Sequence, residues 1–147
     1  MEIFVKNNRE INNSVSVKTS ISGVRTIYKA LKDKKVICFA ADQVPKRGLG
    51  EHIMLYNKMA YTTTLVQNLA SKTNCPVIYL CMNSNINGFL SVSIKPCSDD
   101  IYDSSKHLQL VNKDIEKLIN RRPIDYSWEY KRFKRSLPEE ENLYSGI

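Results

Sequence analysis

A mixed α/β fold, with a thin sheet of three or four strands flanked by helices, is what this sequence predicts. Three observations carry the prediction. Apolar residues recur at helical spacing in three places. Two short, continuous apolar runs lie between those places. A further run alternates apolar with polar residues, as a half-buried strand does. Helix, strand, helix, strand, strand, helix is an α/β order. At 147 residues one compact domain is natural, and such a chain buries roughly two-thirds of its unfolded surface.

Taken in order, residues 1–20 read as a polar lead-in. Asn7, Asn8, Asn12 and Asn13 make 7–20 a loop. Ile21, Val24, Tyr28 and Leu31 then fall on one helical face, with Ser20 as cap. Lys32, Lys34 and Lys35 suit that helix's negative end. Val36–Ala41 is an apolar run with a β-branched start, predicting a strand covered on both faces. Pro45, Gly48 and Gly50 make the next stretch a loop. A second helix is expected from Tyr61 to Lys72, stopped by Asn74 and Pro76. Val77–Met82 and 89–95 are expected to form a hairpin around an Asn- and Ser-rich turn. The last helix covers 106–121, with Leu108, Val111, Ile115, Leu118 and Ile119 on one face. The body of the fold is thus 21–136, followed by an acidic tail over 137–147 containing Glu139, Glu140 and Glu141. Two helices and a hairpin cannot readily cover both faces of strand 36–41, which points to further structure upstream of it.

Composition narrows the function. With 42% hydrophobic and 25% charged residues the chain is globular rather than disordered. A net charge of +7 points to an anionic partner or a solvated basic surface, without choosing between them. Nucleic acid is not expected, because no helix-turn-helix, RNP or zinc pattern occurs. No secretory signal stands at Met1–Lys6, and no run reaches the ~20 apolar residues of a membrane span. Cys38, Cys75, Cys81 and Cys97 show no C-x-x-C spacing, so reduced, buried cysteines are expected, with no metal site and no cofactor.

Chemistry-bearing residues are few. His52 is followed five positions on by Asn57, and His107 by Asn112. Asn cannot stabilise an imidazolium as a carboxylate does, so neither histidine is a candidate base; His52 reads as a loop residue and His107 as a helix start. Asp42 and Gln43 follow the first apolar run, where α/β sheets place their ligands. They read either as a pocket-edge pair or as the cap of a turn. Arg132 and Lys134 alternate with Trp128, Tyr130 and Phe133. Such a segment can anchor at lipid headgroups, stack on bases, or pack its aromatics inward.

These residues together resemble a known family. Asp42-Gln43 after an apolar run, the threonines Thr62, Thr63 and Thr64 at a helix start, and Cys75-Pro76-Val77-Ile78 look like the second half of the bacterial lipid A biosynthesis (lauroyl/myristoyl) acyltransferases. The close is similar too, with Pro123, Tyr126 and Trp128 leading into Arg132-Phe133-Lys134. The resemblance covers roughly 20–136. It departs at Tyr130, where the family has histidine, and at Lys131, where it has arginine. The family's His-x-x-x-x-Asp/Glu motif does not occur in this sequence. The resemblance implies a partial lysophospholipid-acyltransferase-like sheet, and Asp42, Gln43, Arg132 and Lys134 as substrate-binding residues. It also implies transfer of a fatty acyl chain from acyl carrier protein to a hydroxyl of a lipid A precursor, within lipopolysaccharide synthesis, with the chain at the cytoplasmic face of the inner membrane, or in the cytoplasm if it is a free fragment. The expectation is a C-terminal half that is inactive by itself and carries no catalytic residue. The alternative is a noncatalytic basic module that binds an anionic membrane or a partner subunit.

Overall fold

The computed structural model describes residues 2–135, 137, 139 and 143–146; Glu140 and Glu141 of the expected acidic tail lie outside them. The chain divides into two compact units, Met1–Cys38 and Phe39–Ile147.

In the first unit, α1 (Glu2–Arg9) opens the lead-in that composition had marked as polar loop. α2 (Ile21–Lys32) forms where the 3-4 spacing predicts it. The Ser20 hydroxyl accepts from Gly23 N at 3.1 Å, satisfying one of the helix's free donors. At the other end Lys34 adopts φ +59°. Lys35 N then reaches Ala30 O and Lys34 N reaches Leu31 O, the paired bonds of a Schellman stop. Gly23 is required by close approach, since a Cβ there would stand 1.9 Å from Lys18 O.

The second unit holds two antiparallel sheets of two strands each. β1 (Gly50–Leu55) and β2 (Lys58–Thr63) form a hairpin in register Leu55 with Lys58. Its turn is the pair Tyr56-Asn57, both left-handed at φ +50° and +59°, the type I′ geometry that matches strand twist. α3 (Leu65–Thr73) follows and ends at Asn74, in the left-handed region that asparagine tolerates. β3 (Ile78–Ser84) and β4 (Leu90–Pro96) form the second hairpin. α4 (His107–Ile119) completes the order, followed by two short 3-10 turns, Pro123–Asp125 and Trp128–Tyr130. Among the described residues no helix is long and apolar enough to cross a membrane.

The mixed α/β class holds, and four strands form, but in two separate pairs. The strand expected over 36–41 does not form, and Val36 is 92% exposed. A strand needs a neighbour for its N–H and C=O groups; here each described strand pairs only with its hairpin partner. The loop expected after Pro45 instead contains β1, and the second helix starts at Leu65 because Tyr61–Thr63 are committed to β2. His52 is therefore a strand residue rather than a loop residue, whereas His107 does start α4. The four cysteines are free, but none is buried as expected: Cys75, Cys81 and Cys97 are half-buried, and Cys38 is exposed, since the strand that was to bury it is absent.

Leu55, Ala60, Ala70, Ile101, Val111, Ile115 and Ile119 make the core. Val111, Ile115 and Ile119 are the buried stripe of α4, spaced by four. α4 also fastens the β1–β2 turn. The Glu116 carboxylate accepts from Tyr56 N at 2.6 Å, and the Tyr56 hydroxyl donates to Asn120 Oδ1 at 2.8 Å.

Candidate functional site

Asp42 and Gln43 stand in the loop that leads to β1. Side chains from the C-terminal segment hold this loop. Val44 N donates to the Tyr130 hydroxyl at 2.9 Å, and an Arg135 Nη1 donates to Pro45 O. Residues 86 and 90 positions apart in sequence are thereby joined. The result is a pocket of about 470 Å³ lined by Ala40, Asp42, Gln43, Tyr126, Ser127, Glu129 and Tyr130, a size within the usual range of small-ligand sites.

The C-terminal segment gets its shape from its aromatics. The indole N–H of Trp128 donates to Pro123 O at 2.8 Å, and Tyr126 meets Trp128 edge to face at 4.9 Å. Lys131 is left-handed, at φ +55°, which ends the 3-10 turn and redirects the chain. Phe133 then packs against the core.

Each expected site residue has a distinct place. Asp42 and Gln43 line the pocket. Lys134 lies beside it, with its ammonium 4.1 Å from the centre of the Tyr130 ring, a cation–π contact. Arg132 does not line the pocket; it is 3% exposed. Its Nη1 donates to Tyr61 O at 2.9 Å and its Nη2 to Thr62 Oγ1 at 2.7 Å. Thr62 Oγ1 also accepts from Asn112 Nδ2 at 3.1 Å, and the same amide reaches Met54 O at 3.0 Å. Arg132, Thr62 and Asn112 thus tie the C-terminal segment, β2, β1 and α4 into one buried polar network.

Electrostatics mark Tyr126. Burial, and then the nearby Asp42 charge, push its phenol up to about 12, with Arg132 pulling the other way. The phenol therefore stays protonated at neutral pH. Its oxygen is buried, and among the described residues it has no hydrogen-bond partner. Burial lowers the Arg132 guanidinium from its ordinary value, opposed by Tyr126 and Asp42. In the sequence Tyr126 stands out only as part of a pattern; the fold is what brings it and Asp42 to one pocket.

Neither histidine lines the pocket. His52 Nε2 is 2.9 Å from Arg135 O, and its ring lies 5.0 Å from that of Tyr61. His107 is buried, and Asn112 is spent on the polar network. Among the described residues no three His, Cys, Asp or Glu side chains group as metal ligands.

A family model described as bacterial lipid A biosynthesis acyltransferase matches residues 2–135. No curated protein matches the chain.

Proposed function

This chain belongs to the bacterial lipid A biosynthesis acyltransferase family, and from that premise we propose that its residues supply the C-terminal half of an acyl-transfer pocket. The reading is carried by one observation. Asp42 and Gln43, and Tyr126 from the C-terminal segment, which all belong to the patterns that resemble the family, line the same cavity. The donor would be an acyl chain on acyl carrier protein, and the acceptor a hydroxyl of a lipid A precursor at the cytoplasmic face of the inner membrane. A hydroxyl held in this pocket would have a carboxylate acceptor in Asp42, an amide in Gln43 and a protonated phenol in Tyr126 to orient it. Lys134, exposed beside Tyr130, would meet an acidic group of the same ligand. Arg132 would contribute from behind, by holding the segment that carries Tyr126 and Tyr130.

Attack by the hydroxyl on the acyl thioester also requires a base to take its proton. General-base catalysis is typically worth about 10²–10⁴ in rate. His52 and His107 stand in no His-x-x-x-x-Asp/Glu motif, and neither lines the pocket. On this reading the isolated chain binds acceptor without transferring acyl groups. The test supplies the purified chain with acylated carrier protein and a lipid A precursor. No product above background is expected, while the precursor binds and Asp42→Ala weakens that binding about tenfold. Turnover by the chain alone, or equal binding by Asp42→Ala, would falsify the assignment.

A further inference from the structure

Between Tyr130 and Arg135 the chain makes a tight turn. Lys131 is left-handed, at φ +55°, and Lys134 N donates to Lys131 O at 3.0 Å. Among the described residues no backbone carbonyl receives the Phe133 N–H, and a partly buried donor needs an acceptor. Tyr144 supplies it, accepting from Phe133 N through its hydroxyl at 3.0 Å. The Lys131 ammonium lies 5.5 Å from the centre of the same ring. Tyr144 thus grips the turn at two residues. It stands in the acidic tail, beyond the residues 2–135 that match the family.

The turn has two ends, and each end holds the pocket loop. The Tyr130 hydroxyl accepts from Val44 N at 2.9 Å, and an Arg135 Nη1 donates to Pro45 O. Val44 and Pro45 directly follow Asp42-Gln43, which belong to no helix or strand. Gln43 N reaches Ala40 O only at 3.4 Å, a long bond. A loop without a ladder opens easily, so side-chain bonds decide where it sits. Arg132 and Phe133 fix the side chains of the turn, through β2 and the core. What Tyr144 adds is a bond to the turn's backbone.

We propose that Tyr144 is a positioning residue for the pocket: through the turn at 131–134 it sets where Tyr130 and Arg135 hold the Asp42-Gln43 loop. Its part in ligand binding rests on the acyl-transfer reading, whereas its hold on the loop does not. Tyr144 touches neither Asp42 nor Val44 in this chain of contacts; it acts through Phe133 and Lys131. The tail is then a strap across the segment that carries the pocket's aromatic wall.

The experiment is amide hydrogen exchange of the full chain, read residue by residue by NMR, with binding of a lipid A precursor measured alongside. Tyr144→Phe removes the acceptor and keeps the ring; Tyr144→Ala removes both. In each, the Phe133 amide is expected to exchange about tenfold faster and the Val44 amide about threefold faster. The Ile115 amide, in the core of α4, should keep its rate. Tyr130→Phe should free Val44 and leave Phe133 protected. Tyr144→Ala should weaken precursor binding about threefold. A Phe133 amide that keeps its rate in both Tyr144 variants would overturn the proposal. So would a Val44 amide that keeps its rate while Phe133 speeds up, since the hold would then stop at the turn. Equal acceleration of Ile115 would overturn it in favour of general stabilisation of the fold. A faster Val44 amide with unchanged precursor binding would overturn it by showing that the pocket does not depend on this loop's position. If the native chain binds no precursor, the acyl-transfer reading falls, and the three amide rates by themselves uphold or overturn the hold of Tyr144 on the loop.

Discussion

Arg132 is a cation taken out of water, and no carboxylate among the described residues is bonded to it. Such burial is costly unless hydrogen bonds offset it. Here Tyr61 O and Thr62 Oγ1 receive two arms of one planar group, while Nε is buried with no partner among the described residues. Arg132→Ala would strand both acceptors in a buried setting, and we expect a loss of about 3 kcal/mol in unfolding free energy, measured by urea titration. Arg132→Lys should recover less than half of it, because one ammonium cannot span the fork. A loss under about 1 kcal/mol for Arg132→Ala would show that the network is not what joins the C-terminal segment to β2. The alternation of cations with aromatics at 128–134 offered three readings. The fold follows the plainest one at Phe133, packed on the core, and at exposed Lys134, and inverts it at two places: Trp128 is half exposed and Arg132 is inside. Alternation describes a strand's two faces, whereas this segment is two tight turns joined by a left-handed residue.

Among elements, the β3–β4 hairpin has the sharpest dependence on one anchor. The Asp125 carboxylate accepts from Ser84 N at 2.8 Å and from the Ser84 hydroxyl at 2.7 Å, with Arg122 alongside at 3.1 Å. The Ser84 hydroxyl bond chiefly, and Arg122 further, hold this carboxyl below its ordinary value of 3.8. A carboxyl depressed on folding adds stability above its unfolded pKa, and that stability is lost as pH falls through the folded value. The stability difference between the native chain and Asp125→Asn should therefore be level near neutrality and shrink below about pH 4. A difference that stays constant down to about pH 2 would exclude the anchor. The hairpin itself was legible in the sequence, because period-2 alternation survives in any register. The β1–β2 hairpin was not. Its turn is Tyr56-Asn57, without the glycine that usually announces a type I′ turn, and Glu116 on a distant helix helps hold it.

At the scale of the whole molecule, the second unit presents an apolar sheet face outward. Ile78, Leu80, Met82, Leu90, Val92 and Ile94 are each more than half exposed, while Tyr79, Cys81 and Asn83 on the other side are half buried. A two-stranded sheet alone is at best marginal in water, and a contiguous apolar patch of this kind usually meets something. The chain should bind a hydrophobic dye and self-associate as concentration rises; Leu80→Ser with Val92→Ser should reduce both. A monodisperse chain that binds no dye and melts in one sharp transition would count against this.

Local pattern by itself determined the mixed class, α2 and its Ser20 cap, α4 and its buried stripe, the second hairpin, and the pairing of Asp42-Gln43 with the Tyr126–Lys134 segment as parts of one family's signature. Those features depend on neighbours three or four residues away, or on order along the chain. Tertiary structure decided the rest. It left Val36–Ala41 unpaired because hydrogen-bond partners for a strand must come from elsewhere in the chain. It turned Arg132 inward because Thr62 and Asn112 wait there, and it placed Tyr126 beside Asp42. Each of those outcomes depends on which distant groups meet, and periodicity carries no record of that.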